Sequence, residues 1–168
     1  MNDIVLVSVQ SIHSDYFKCK LLNSNLTVNL LGLSFYNVTK RNKPKVKVNE
    51  LILARIVRID GEFVLVSCKE EWLGQVDKLI DKYEINNENM NKDSLDSVVL
   101  EQSRENMKNT GKDSQKHIIF VSPITTTSIF INGLSIDDTF AIVGMNGVIV
   151  LWGKRNIEVE RKIYELFQ

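Results

Sequence analysis

Lys40, Arg41, Lys43, Lys45 and Lys47 put five cations into eight consecutive positions of a chain with 21 basic and 21 acidic residues and no formal net charge. Like charge held this close repels itself, so the run TKRNKPKVK (39–47) raises the question of an anionic partner. The chemistry open to it is phosphate contact. Ammonium and guanidinium groups follow a nucleic-acid backbone while nearby aromatic rings stack on bases. Pro44 stiffens the run, and Asn42 adds an amide that can both donate and accept. The alternative is a solvated loop, because lysines usually face water and nothing else.

The other reactive side chains do not assemble into a site. His13, Cys19, Cys68 and His117 lack the short spacing of metal ligands, so neither zinc nor any other cofactor is expected. Asp137 and Asp138 are adjacent and would face opposite ways in a strand, a poor acid–base pair that fits a turn better. The sequence contains neither a glycine-rich phosphate loop nor a nucleophile elbow. It reads as a non-enzyme.

A chain of 168 residues can hold one ordinary domain or two small ones. No stretch approaches the roughly 18 apolar residues of a membrane span, so no membrane partner is expected. The start, MNDIVLVSVQS, lacks the basic opening and cleavage site of a signal peptide and reads as a strand. Two cysteines make no disulfide framework, which suits a reducing compartment, nuclear or cytosolic. Charge is uneven along the chain: residues 1–71 are net basic, 72–115 net acidic, and 116–168 balanced.

The elements that must position the basic run are short strands. Segments 4–10, 16–22, 26–33, 50–59 and 63–68 are apolar or alternating, and turn residues separate them. Asp60-Gly61 marks a hairpin, and the basic run fills the one long loop, between the third and fourth strands. Five such strands predict a small antiparallel barrel of the OB-fold kind. Alternation in YFKCKLL puts Phe17, Cys19 and Leu21 inside and Tyr16, Lys18 and Lys20 together on the outer face. Residues 75–116 are polar and acidic. Trp72, Val76, Leu79, Ile80 and Tyr83 recur at helical spacing at their start, a second helix is expected near 95–102, and the rest is expected to be mobile.

Order resumes at 117. Ser122-Pro123 reads as a helix start and Asn132-Gly133 as a stop, while the β-branched run between them argues for a strand. Asn146-Gly147 joins two strands apolar at nearly every position, a hairpin that must be covered on both faces. One cover is the closing helix, with a stripe of Val159, Ile163, Leu166 and Phe167; the barrel is the expected other. That would make the two halves one unit.

SDYFKCKL, LLGLSFYNVTKRNKPKVKVNELILARI and FVLVSC, in that order, resemble the S-one domain, an OB-fold module. The narrower string FYNVTKRNKPKVKVNEL resembles cap subunits of the eukaryotic RNA exosome of the ribosomal RNA-processing protein 40 type. VGMNGVIVLWG (143–153) is similar to the second domain of that family, a variant KH domain with a Gly-x-Asn-Gly signature. The resemblance implies a five-stranded OB-fold (S-one type) barrel over 1–74, the polar insertion over 75–116 and a variant KH domain over 117–168. It implies a non-catalytic subunit in nucleus, nucleolus and cytoplasm, seated with other cap subunits on a ring of ribonuclease-PH-like proteins. There it would guide single-stranded RNA toward a separate nuclease for 3'–5' processing and degradation. Family members usually carry a further domain ahead of the barrel that grips the ring, whereas this sequence starts at the barrel. RNA-clamping KH domains have a Gly-x-x-Gly loop between their first two helices, and the KH-like segment has none at that place.

The RNA-contact set read from residues and resemblance together is Tyr16, Lys18, Lys20, Phe35, Lys40, Arg41, Asn42, Lys43 and Lys45. Phe35 and Tyr36 are open to a place in the core instead, and Tyr16 to packing beneath the loop. Gly144, Asn146, Gly147 and Trp152 are expected to be structural, at the junction of the domains. Two other readings remain: a scaffold whose basic loop meets an acidic protein, and a stand-alone translation-type RNA-binding protein.

Overall fold

A computed structural model describes residues 2–90, 116–132 and 139–167. Five strands form the first unit: β1 (Ile4–Ile12), β2 (Tyr16–Leu21), β3 (Thr27–Phe35), β4 (Leu51–Asp60) and β5 (Phe63–Cys68). They run in the order β1-β2-β3-β5-β4, and β1 also pairs with β4, which closes the sheet into a barrel. The expected all-antiparallel pairing fails at one seam, where β3 and β5 run parallel. Closure requires this, because β5 reaches β3 only after the hairpin with β4 has reversed its direction. The hairpin turns at Gly61, whose φ of +59° is cheap only for a residue without Cβ or for Asn/Asp.

Ile4, Val5, Leu6 and Val7 are all buried, although alternate residues of a strand face opposite ways. Both faces of β1 are therefore covered, one by the barrel interior and the other by the second unit.

A two-residue strand, β6 (Gly74–Gln75), pairs with β4 and leads into helix α1 (Val76–Met90). Gln75, Val76 and Ile80 are buried, so the helix expected at the start of the polar insertion packs on the core. The helical spacing was legible, but Trp72 precedes the helix, and its ring sits 5.6 Å from the Arg55 guanidinium. Residues 91–115, with the second expected helix and the mobile stretch, lie outside the described residues, as do Gly133, Asp137 and Asp138.

The second unit contains β7 (Lys116–Phe120), α2 (Pro123–Asn132), β8 (Thr139–Gly144), β9 (Val148–Gly153) and α3 (Asn156–Leu166). Its antiparallel sheet has the order β7-β9-β8. The 123–132 segment is a helix despite its β-branched residues. Ser122 Oγ accepts the Ile124 N–H, and Thr126 and Thr127 turn their hydroxyls onto Pro123 O at 3.0 and 2.8 Å. β9 is covered on both faces. Ile149 and Leu151 pack with Ile119, Ile129, Val159 and Ile163, while Val148, Val150 and Trp152 join the barrel core. The closing stripe is shorter than its spacing implied: Val159 and Ile163 are buried, but Leu166 is 57% exposed and Phe167 lies beyond the helix.

Candidate nucleic-acid interface

The basic run is a built loop. The Asn42 N–H donates to Thr39 O at 3.1 Å, closing a turn that puts Lys40 and Arg41 at its tip, both exposed. Val38 and Val46 pack on the barrel core at either side of that tip. Below them, the buried Gln75 amide donates to Lys45 O and to Glu50 Oε1, each at 2.8 Å, and Glu50 Oε2 accepts the Lys47 N–H. Nothing in the loop's own sequence announced this clamp; Gln75 is 30 residues from Lys45 along the chain.

Lys43 points the loop toward the β1–β2 turn. Its Nζ donates to Ser14 O at 3.2 Å and lies 3.8 Å from Asp15 Oδ1. The pair is exposed and contributes at most about 1 kcal/mol, so it guides the loop more than it holds it. On that turn stand two rings. Tyr16 is 38% exposed, and the His13 ring lies parallel to it, centroids 4.3 Å apart and planes within 9°. The sequence reading placed Tyr16 correctly on the outer face but missed His13, because strand alternation says nothing about a ring carried on a turn.

Phe35 requires a correction. It is buried and stands edge-on to Phe17 with centroids 6.0 Å apart, so it is a core residue and offers no face to a base. Alternation from Val28 and Leu30 would have put it outside, but the register shifts between Leu30 and Phe35, and Ser34 and Phe35 are both buried. The exposed ring is its neighbour Tyr36. Lys18 is exposed across from Asn29, and Lys20 is half-buried across from Thr27. Tyr16 pairs with Leu31 on the same outer face. Lys40, Arg41, Asn42, Lys43, Lys45, Lys18 and Tyr16 are thus all exposed on the barrel, and Phe35 leaves the set.

The other expected cluster forms the seam between the units. Asn146 Nδ2 donates to Leu6 O at 2.9 Å and to Leu22 O at 2.8 Å, and its Oδ1 accepts the Leu6 N–H at 3.0 Å. One side-chain amide thus does the work of a strand neighbour where β2 has ended, and Met145 N–H continues the edge to Ile4 O at 2.6 Å. Gly144 lies so close that a Cβ would stand 2.8 Å from Leu6 N. Gly147 has φ +82°, and a Cβ there would overlap Val121 O. Its N–H reaches the buried Thr126 hydroxyl, and Asn23 Nδ2 donates to Asn146 O at 3.2 Å. Trp152 is buried, with its indole N–H on Glu84 of α1 at 3.0 Å.

Cys19 and Cys68 are buried in the barrel, and loss of solvent pushes the Cys19 thiol up to about 12 and the Cys68 thiol higher still, helped by Cys19 beside it. Both are inert at neutral pH. Glu70 is held below the usual carboxylate range by its hydrogen bonds from Arg55, at 2.6 and 2.9 Å. Among the described residues no three His, Cys, Asp or Glu side chains come together to hold a metal ion.

A closed five-stranded barrel with a parallel β3–β5 seam, carrying cations and rings at one end, makes this an OB-fold protein of the S1 type. The family described as "Exosome complex component RRP40, S1 domain" matches residues 1–79. Exosome complex component RRP40 of Saccharomyces cerevisiae (strain ATCC 204508 / S288c) is 32% identical over 76 residues, which are 45% of this chain and 32% of that protein. The match therefore takes in about a third of the yeast relative's length. A crystal structure described as that of a proposed exosome complex RNA-binding protein has a TM-score of 0.56, covering 98% of this chain and 80% of that one. At 15% identity this is a likeness of fold, and it spans both units. Residues 1–79 are thus similar to the S1 domain of the RRP40 type of exosome component.

Proposed function

We propose that the chain is a non-catalytic RNA-binding subunit of an exosome-like assembly, guiding single-stranded RNA toward a nuclease carried elsewhere in the complex. One observation carries this reading: Lys43 reaches from the basic loop to the β1–β2 turn that bears the parallel His13 and Tyr16 rings, so a cation of the loop and two stacking rings meet there. Cations on phosphates and rings on bases give sequence-tolerant contact, which a threading path needs. If four phosphates were engaged at a slope near −0.7 each, raising salt from about 50 to 200 mM would weaken binding roughly 50-fold. In this reading the partners are ribonuclease-PH-like ring subunits and the other cap subunits, in nucleus and cytoplasm. The second unit, whose described elements run β-α-β-β-α, is a variant KH domain that braces the barrel rather than clamping RNA.

A second reading, a scaffold with little RNA contact, draws on one feature. An open groove of roughly 610 Å³ runs between α1, α2 and β8, walled by Trp72, Tyr83, Phe130 and Phe140. Such apolar surface suits a protein partner. One experiment separates the two: photo-crosslinking of 4-thiouridine-containing oligo-U to the full chain, with crosslinked residues mapped. Crosslinks on Tyr16 or the 39–47 loop support RNA guidance. Capture of ring subunits without any such crosslink favours the scaffold.

A further inference from the structure

We infer that His13 is an RNA-stacking residue, forming with Tyr16 a preassembled two-ring platform for an unpaired base. The inference rests on the RNA-binding reading and adds to it a residue outside the β-strands. Three contacts fix the pair. The His13 N–H donates to Tyr16 O at 3.0 Å, closing the β1–β2 turn so that the two side chains leave it side by side. Ser11 Oγ lies 3.0 Å from His13 Nε2, which sets the rotation of the imidazole. The rings then lie face to face, 4.3 Å apart and 9° from parallel.

A single exposed ring gives up rotamer freedom when a base lands on it. A ring already held against another has less to lose, so each new stacking contact is worth more. Both side chains are exposed, and the stack has outer faces of π-surface to offer. The Lys43 ammonium stands over the same turn, on Ser14 O, where it can meet the phosphate of a base stacked on the rings. Every base has a π-face, so the platform takes any unpaired base and excludes paired ones.

The test uses the full chain and a fluorescent oligo-U of about ten nucleotides with one 2-aminopurine, whose emission is quenched on stacking. His13→Ala should weaken binding by about 5- to 150-fold, the loss seen when a stacking ring is removed. It should relieve the quenching and leave the salt slope unchanged, since no phosphate contact is lost. His13→Phe keeps the ring and should restore both affinity and quenching. Folding of each variant is checked by its urea midpoint. If His13→Ala binds like the wild type while Lys40→Glu/Arg41→Glu weakens binding, the platform is refuted and RNA binding stands. If neither variant changes binding, the RNA reading itself fails and the platform falls with it.

Discussion

Replacing Asn146 by alanine tests the claim that one amide joins the two units. Three hydrogen bonds disappear, but the losses are unequal. Leu6 O keeps a second donor, the Leu22 N–H at 3.2 Å, and so remains satisfied. The Leu6 N–H and Leu22 O lose the Asn146 partner altogether. An orphaned, part-buried backbone group costs about 1–3 kcal/mol, and the site is half-open to water, so the total should be about 2–4 kcal/mol. With a urea m-value of about 2 kcal/mol/M the midpoint falls by roughly 1–2 M. Asn146→Asp sharpens the test. It keeps an oxygen for the Leu6 N–H but sets a carboxylate against the Leu6 and Leu22 carbonyls, so it should destabilise at least as much as alanine. The assay is equilibrium urea unfolding of the full chain, followed by circular dichroism and by tryptophan fluorescence, which Trp152 reports from the seam. A loss below about 0.5 kcal/mol for both variants would mean the amide only decorates an interface held by other contacts.

Other expectations follow from the same geometry. Gly147→Ala should cost more than a helix or strand Gly→Ala change, above about 2 kcal/mol, because it adds both a strained φ and an overlap with Val121 O; thermal melts would show it. Phe35→Ala should lose about 3–5 kcal/mol of stability and Tyr36→Ala under about 0.5, whereas two exposed RNA-facing rings would both give the small loss. The buried thiols make stability fall at alkaline pH. Their folded pKa values are raised, so the contribution is complete below the titration of a free thiol and is lost progressively as pH rises from there toward the folded values, since over that window only the unfolded chain releases protons. From a free value near 8.5, each thiol should cost about 2 kcal/mol by pH 10. Urea midpoints at pH 8 and 10 should show a smaller drop in Cys19→Ala/Cys68→Ala than in the wild type; equal drops would contradict this.

The barrel was legible because its signals are local. Alternation in YFKCKLL, Asp60-Gly61 between apolar runs and Asn23 in a turn each act within a few residues, and the strands fall within two residues of where they were read. Asn146-Gly147 was readable for the same reason, and the unbroken apolar character of β9 implied cover on two sides. What escaped depended on contacts distant in sequence or on register. Phe35 turned inward through a shift that alternation does not encode. Gln75 looked like the start of a polar linker but is the clamp beneath the basic loop. His13 gained its place by stacking on a ring three residues away across a turn. For α2, the start signal at Ser122-Pro123 outweighed β-branched propensity because Thr126 and Thr127 found hydrogen-bond acceptors within the helix itself.

The most direct measurement is the salt dependence of oligo-U binding by the full chain, wild type against Lys40→Glu/Arg41→Glu. The loop tip is exposed, so the variant should fold with an unchanged urea midpoint. Binding should weaken, and the slope of log K against log salt should flatten by about 1.4, two phosphate contacts at roughly 0.7 each. A wild-type affinity indifferent to salt, or a variant with the same affinity and slope, would mean that the cations at this end of the barrel face something other than RNA.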